Sequence, residues 1–366
     1  MRVALICPYN IARPGGVQNQ VLGLGGALRA KGVDVIVFAP GAQDLGAYLP
    51  ADLRYRIFGR TIDVAVNGSR APVALNPFVM KKTADALRDE MPDVVHIHEP
   101  FVPGPSLGAL LFSPAPVLVT FHRAGASSSY RLVGRIAQKA LSRVDDFVAV
   151  SNAARKTAKE IFGPMKRPVA VIENAVDVAR FEAARALEKD RPSVVFVGRH
   201  EQRKGLSVLL EAFEGLKEDV SLWVIGTGPL TPGLRARYEG DARIEFCGAI
   251  DDELLAERVA AADVLVAPSL YGESFGVVLL EAMAAGTAVI ASDLPGYRLA
   301  AKDLAVFVKP GDARALGDAL SFMLSDDALR AARVDAARTY AKTHSFSALA
   351  EEYLLRYDAL ADLSSR

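Results

Sequence analysis

The chain has 366 residues, 51% apolar and 23% charged, which is too long for one ordinary core and too apolar for a disordered chain. Two domains of about 150 to 200 residues each are expected. Lys plus Arg and Asp plus Glu both number 43, so no global charge recruits nucleic acid, and an anionic partner must be met by a local patch.

At the N-terminus only Val3 to Cys7 separates Arg2 from Pro8, too short for a signal segment, and no run of 18 apolar residues occurs elsewhere. A cytoplasmic protein without a membrane span is expected. Cys7 and Cys247 lie in separate apolar runs without ligand spacing, as buried reduced thiols do. Val3 to Cys7 and Val33 to Ala39 are unbroken apolar runs around a helical pattern from Gly16 to Lys31. Gly15 and Gly16 close the loop after this first strand, the position where α/β sheets bind ligands. The loop is not Gly-x-Gly-x-x-Gly, which argues against a dinucleotide enzyme.

Arg54 to Phe58 and Thr61 to Val66 read as short strands, followed by a turn at Asn67-Gly68 and a helix near Asn76 to Arg88. Seven basic residues but only two acids, Asp63 and Asp85, fall between Arg54 and Arg88. Strands at Asp93 to Glu99, Val117 to His122, Phe147 to Ser151 and Pro168 to Ile172, with helices between, complete a first doubly wound domain. His96 and His98 sit inside their strand as satisfied structural histidines would. His122 ends its strand, at the edge where ligands bind. On a helix from Tyr130 to Val144, Arg131, Arg135, Lys139 and Arg143 form one basic stripe. Arg70, Lys81, Lys82 and Arg88 form a second basic cluster, with Phe78, Val79 and Met80 able to enter a headgroup region. Both suit an anionic membrane, and both are equally the wet faces of amphipathic helices.

Glu173 to Phe181 has poor periodicity and reads as a hinge before a charged helical stretch to Asp190. A second α/β set follows, with strands at Val194 to Gly198, Ser221 to Gly226, Ile244 to Cys247, Val264 to Pro268, Thr287 to Ala291 and Ala305 to Val308. Asp251-Asp252 fits a helix N-cap or a contact to a nucleotide base edge. Phe275 to Ala285 reads as a helix with a left-handed C-cap at Gly286. Glu273 and Glu281 would lie roughly 12 Å apart along that helix and about 80° apart around it, close to the span of a nucleotide sugar from hexose to ribose. The N–H groups near Ser274, Phe275 and Gly276 suit a diphosphate. A helix-start acid and a solvated glutamate are the plainer reading of the pair. Within the apolar block Val277 to Ala285, however, Glu281 calls for a hydrogen-bonding partner. Phe346 to Leu363 has Leu349, Tyr353, Leu354 and Tyr357 at helical spacing and needs a surface to cover.

The run Glu273-x-Phe275-Gly276-x4-Glu281-Ala-x-Ala-x-Gly286, with Gly198-Arg199-x4-Lys204-Gly205 after a strand, resembles the donor signatures of family 4 retaining glycosyltransferases. The resemblance covers essentially the whole chain. Through Cys7-Pro-Tyr9, Pro14-Gly-Gly-Val17, Asn67-Gly-Ser69 and His96-Ile-His-Glu-Pro100 it is strongest to the bacterial phosphatidylinositol mannosyltransferases. It implies the GT-B fold: two Rossmann-like doubly wound parallel-sheet domains facing across a cleft. These would be an acceptor-side domain over 1–175, completed by a final helix over 346–366, and a nucleotide-sugar domain over 176–345. The implied reaction moves mannose from GDP-mannose, with retention, to a phosphatidylinositol-type lipid. The implied enzyme is a monomer, peripheral on the inner face of the cell membrane.

In that resemblance Arg199 and Lys204 stabilise the departing diphosphate, Glu273 positions hexose hydroxyls, Glu281 holds the ribose and His122 meets the donor hexose. Gly15, Gly16, Gly198, Asp252, Ser274, Phe275 and Gly276 complete the donor site; Tyr9, Asn67, Ser69 and Arg70 face the acceptor. With no Asp-x-Asp in the chain, neither metal nor cofactor is expected. Val66 and Ser127 replace a tyrosine and a lysine of the subgroup, and Glu173-Asn-Ala-Val-Asp177 replaces its Pro-Asn-Gly-Val-Asp. A UDP-sugar or a soluble acceptor is the alternative within the family. A sugar-nucleotide 2-epimerase is the alternative from another class, although it lacks the Glu273 to Glu281 pattern.

Overall fold

Unbroken apolar runs are buried on both faces and become the inner strands of two parallel sheets. The computed structural model describes residues 1–41, 49–66, 69–125, 138–216 and 219–364, with backbone alone at 65–66, 69–70 and 363–364. The first sheet contains β1 (Arg2–Ile6), β2 (Asp34–Pro40), β3 (Arg54–Phe58), β6 (Val94–His98), β7 (Val117–Phe121), β8 (Asp146–Ala149) and β9 (Val169–Val171). Its order is β3-β2-β1-β6-β7-β8-β9, all parallel. β4 (Ile62–Val66) and β5 (Ser69–Val73) pair as a separate antiparallel hairpin. β5 is absent from the sequence reading because Pro72 and a short polar start mask it, though a hairpin edge tolerates proline.

The second sheet contains β10 (Ser193–Val197), β11 (Ser221–Ile225), β12 (Ile244–Gly248), β13 (Val264–Ala267), β14 (Ala288–Ser292) and β15 (Val306–Val308). It is parallel throughout, in the order β12-β11-β10-β13-β14-β15. The chain divides into two compact units, Val176–Ser345 and the remainder, Met1–Ala175 with the chain from Phe346 onward.

The last helix, Phe346–Ser364, belongs to the first unit because its apolar face is needed there. Leu349, Tyr353, Tyr357 and Leu360 join the core that holds Val3, Leu5, Leu24 and Leu28. Lys31–Glu351 at 2.7 Å and Arg356–Asp146 at 2.6 Å flank it.

Several local expectations change. The helix Phe78–Glu90 buries Val79, 3% exposed, in the core with Ala74 and Leu110, and leaves Phe78 72% exposed. Of the three apolar residues expected to reach a headgroup region, Val79 is therefore excluded. Residues 126–137, with Ser127, Arg131 and Arg135, lie outside the described residues; helix is present over 138–141, and Arg143 falls in the turn after it. After Val176, Asp177 caps a short helix, Val178–Ala183, by accepting the Arg180 N–H at 3.1 Å, and helix does not continue to Asp190. Among the described residues no helix is long and apolar enough to cross a membrane.

Candidate functional site

In the second unit the chain builds β10, β11 and β12 to one side, then resumes with β13 beside β10 and builds outward to the other. Loops leaving β10 and β13 therefore diverge, which makes the crevice at their C-terminal ends the place where such sheets bind ligands. The β10 loop brings Arg199, Arg203 and Lys204; the β13 loop brings Ser269 and Glu273. The two loops are joined directly, Leu270 N–H donating to the Arg203 carbonyl at 2.7 Å. Gly205, at φ +69°, passes so close to Pro268 that a Cβ would stand 1.9 Å from its carbonyl oxygen, so no side chain fits there.

Glu273, 10% exposed, is the hub. Its Oε1 accepts from Lys204 Nζ at 2.8 Å, Ser269 Oγ at 2.9 Å and Arg203 at 3.1 Å. Ser269 Oγ also meets the Tyr297 hydroxyl at 2.8 Å. Burial works to raise the Glu273 carboxyl, but Lys204, Arg203 and these hydrogen bonds outweigh it and hold the pKa below the usual range. Glu201, itself buried, takes Arg199 at 3.0 Å and Arg203 at 3.3 Å. Among the described residues three cations thus face two carboxylates, a balance that suits an anionic ligand. Gly198, at the end of β10, donates its N–H to Ile225 of β11 at 3.1 Å and holds the loop against the sheet.

The helix expected from Phe275 begins at Val277. Gly276 stands at φ +107° with the Tyr297 ring 2.5 Å from where a Cβ would be, and Phe275 is turned into the core. Ser274 to Gly276 therefore form the approach to the helix. Its N-cap has no side chain and its first turn no acid, so the end stays open to an anion. Glu281, two turns on, is only half-buried and makes no hydrogen bond among the described residues, contrary to the partner expected of it. Water reaches it at the rim of the apolar block. Burial still pushes its carboxyl up to about 7, with Arg180 opposing and Asp252 adding to the shift. Asp251 caps the helix Asp252–Ala261 through Leu254 N–H at 2.8 Å, while Asp252 is committed to Arg180 at 2.6 Å.

In the first unit β1 and β6 are the corresponding neighbours. Half-buried Tyr9 follows β1, and Gly15 caps the helix Gly16–Ala30, whose first turn also lacks an acid. The hairpin is tied to this loop by Asn10 N–H to the Pro72 carbonyl at 3.1 Å and by Arg13–Asp63 at 2.8 Å. Asn67 and the side chains of Ser69 and Arg70 lie outside the described residues. Arg54 and Arg56 are held by buried Glu90, and Arg88 by Asp85. Arg60, Lys81, Lys82, Lys139 and Arg143 are exposed.

His122 is buried at the end of β7, and burial lowers its pKa to about 3. Its backbone N–H donates to Glu99 Oε1 at 2.7 Å; Glu99 follows β6 in a left-handed conformation, φ +49°. His96 is structural, as expected, with Nδ1 on the Tyr357 hydroxyl at 2.6 Å and Nε2 on Thr120 Oγ1 at 2.7 Å. His98 departs from that expectation, for its Nδ1 meets His122 Nε2 at 2.7 Å. Arg203, Ser269 and Tyr297 thus join the candidate sites without having been singled out in the sequence, while His98 and Glu99, quoted there only within the His96-Ile-His-Glu-Pro100 motif, gain a place beside His122. Of the three new residues, Arg203, adjoining Lys204, carried a legible signal there.

Residues 14–180 match the family model described as Glycosyltransferase Family 4, and residues 177–340 the model described as Glycosyl transferases group 1. A phosphatidyl-myo-inositol mannosyltransferase from Mycobacterium leprae is 37% identical over 100% of this chain and 99% of its own length. One from Propionibacterium freudenreichii is 37% identical over 81% of this chain and 78% of its own. Among solved structures, a glycosyltransferase from Rickettsia africae is similar with TM-score 0.77 at 21% identity, covering 98% of each chain. Anabaena HepE in complex with UDP-glucose is similar with TM-score 0.77 at 17% identity, over 98% of this chain and 100% of that one. The fold is GT-B.

Proposed function

Because the chain belongs to glycosyltransferase family 4, we propose that it is a retaining mannosyltransferase moving mannose from GDP-mannose to a phosphatidylinositol-type lipid. The observation that carries this reading is the full-length likeness to phosphatidyl-myo-inositol mannosyltransferases. The geometry of the second unit supports it. Arg199, Arg203 and Lys204 gather at a strand-switch crevice suited to a diphosphate.

In the proposed reaction the bond from mannose C1 to the diphosphate oxygen breaks and a bond from C1 to the acceptor oxygen forms on the same face. The acceptor proton passes to the departing phosphate. The negative charge developing on that phosphate is met by a planar guanidinium and a point cation, so the reading needs no metal. Glu273 then orients hexose hydroxyls, Glu281 takes the ribose, and His122 is a sugar contact. Exposed Lys81 and Lys82 beside Phe78 bring the first unit to the inner face of the cell membrane as a peripheral protein.

The test is a donor screen on the full chain, reading released nucleoside diphosphate with and without vesicles containing phosphatidylinositol. GDP release that requires both GDP-mannose and those vesicles, and that persists in EDTA, is expected. Turnover with UDP-sugars alone, dependence on Mg²⁺, or acceptor-free epimerisation at C2 would each replace this reading.

A further inference from the structure

Three buried imidazoles stand in line in the first unit. Ring centroids are 4.3 Å apart between His96 and His98 and 5.0 Å between His98 and His122, with planes inclined by 29° and 27°. Their hydrogen bonding differs. His96 uses both nitrogens on Tyr357 and Thr120, so its role is complete within the core. His98 uses one nitrogen, and that one reaches His122 at 2.7 Å. Its other nitrogen, Nε2, is buried without a partner. The backbone on either side is also fixed, since Ser106 Oγ donates to the His98 carbonyl at 3.0 Å and Glu99 accepts the His122 N–H.

We propose that His98 is a positioning residue for the transfer reaction: its Nδ1 orients the His122 ring and determines which His122 nitrogen carries the proton. The inference rests on the reading of His122 as a sugar contact. One proton lies between the two nitrogens, so the tautomers of the two rings are linked. If His122 Nε2 donated, the remaining His98 proton would sit on Nε2 as an orphaned buried N–H. If His98 Nδ1 donates, the orphan is a lone pair, and orphaned buried N–H groups are the rarer of the two. The second arrangement is therefore assigned. His122 keeps its proton on Nδ1 and presents an N–H donor to the sugar, with its ring held between the His98 bond and the strand end.

Two substitutions separate this role from packing. His98→Asn places a polar atom where Nδ1 stands but abandons the ring stack; His98→Phe keeps the stack and removes the nitrogen. Positioning predicts that His98→Phe lowers kcat with GDP-mannose by about tenfold or more, as loss of a ring-orienting partner does at metal-bound histidines. The donor KM moves little, and His98→Asn recovers most of kcat despite the poorer packing. A purely structural role predicts the reverse order, with Phe better than Asn in both melting temperature and rate.

The second readout needs no substrate. The chain has five histidines, so ¹⁵N-histidine spectra are assignable by substitution. His122 should be a single Nδ1–H tautomer in the wild type and a mixture in His98→Phe. An unchanged His122 tautomer with unchanged kcat in His98→Phe, or rates that follow packing, overturns the proposal. If instead His122→Ala turns over normally, the sugar-contact reading fails and the proposed role falls with it, while the spectra still report whether the two rings are paired.

Discussion

Replacing Lys204 with alanine tests whether the cation cluster serves the fold or the reaction. Lys204 Nζ lies 2.8 Å from Glu273 Oε1. At an effective dielectric near 20, that separation corresponds to about 6 kcal/mol of gross attraction, most of it offset by desolvation. Arg203 and Ser269 remain on the same oxygen after the substitution, so Glu273 is not left as an unpaired buried charge. The net cost to stability is then that of one charge-assisted hydrogen bond, about 2 kcal/mol, or a fall of about 4–8 °C in the melting temperature of a unit of this size. The cost to catalysis is larger, because the cation acts on charge that develops only as the diphosphate leaves. Loss of one such group lowers turnover by about 10²–10³-fold. The assay pairs calorimetry with initial rates of GDP release from GDP-mannose. A kcat/KM within about threefold of wild type would refute the assignment of Lys204 to the leaving group. A variant that no longer melts cooperatively would show that the cluster serves the fold.

Glu273→Gln should keep donor binding and lose transfer, so kcat falls while the donor KM changes little; near-normal kcat/KM would exclude its role at the hexose. Glu281 titrates near neutrality, its carboxyl raised from the usual 4.5 to about 7. A raised acid binds protons more tightly folded than unfolded, so its contribution is intact below about 4.5 and is lost as pH rises through about 7. Glu281→Gln should therefore be more stable than wild type at pH 8, by ~3 kcal/mol at most for a half-buried group, and match it at pH 4. If the ionised carboxylate takes the ribose, wild-type donor KM should fall between pH 6 and 8 and that of Glu281→Gln should stay flat. In co-sedimentation, binding should require anionic liposomes, weaken with salt, and drop about 30-fold when Lys81 and Lys82 become glutamine. Substituting Arg135, Lys139 and Arg143 asks the same of the other basic stretch. Equal binding to neutral liposomes would exclude the electrostatic reading.

Much of the architecture was legible in the chain because parallel strands buried on both faces are written as unbroken apolar runs. Val3 to Cys7, Val194 to Gly198 and Thr287 to Ala291 could be read without a partner in view. The glycine at 286 and the amphipathic spacing from Leu349 to Tyr357 were equally local signals. What the chain could not show is who meets whom. Strand order sets β13 beside β10, and only that adjacency delivers Ser269 and Glu273 to Arg203 and Lys204, which lie about 70 positions earlier in the chain. Asp252 looked equally suited to a cap or a base edge until Arg180, 72 residues away, was found on its carboxylate. His98 and His96 are indistinguishable in their strand, two positions apart on one face of the pleat. Their roles separate only because the last helix brings Tyr357 to one and β7 brings His122 to the other. Local patterning determines which segments are strands and helices; the identity of a side chain's neighbours follows from topology, and so does the chemistry that those neighbours permit.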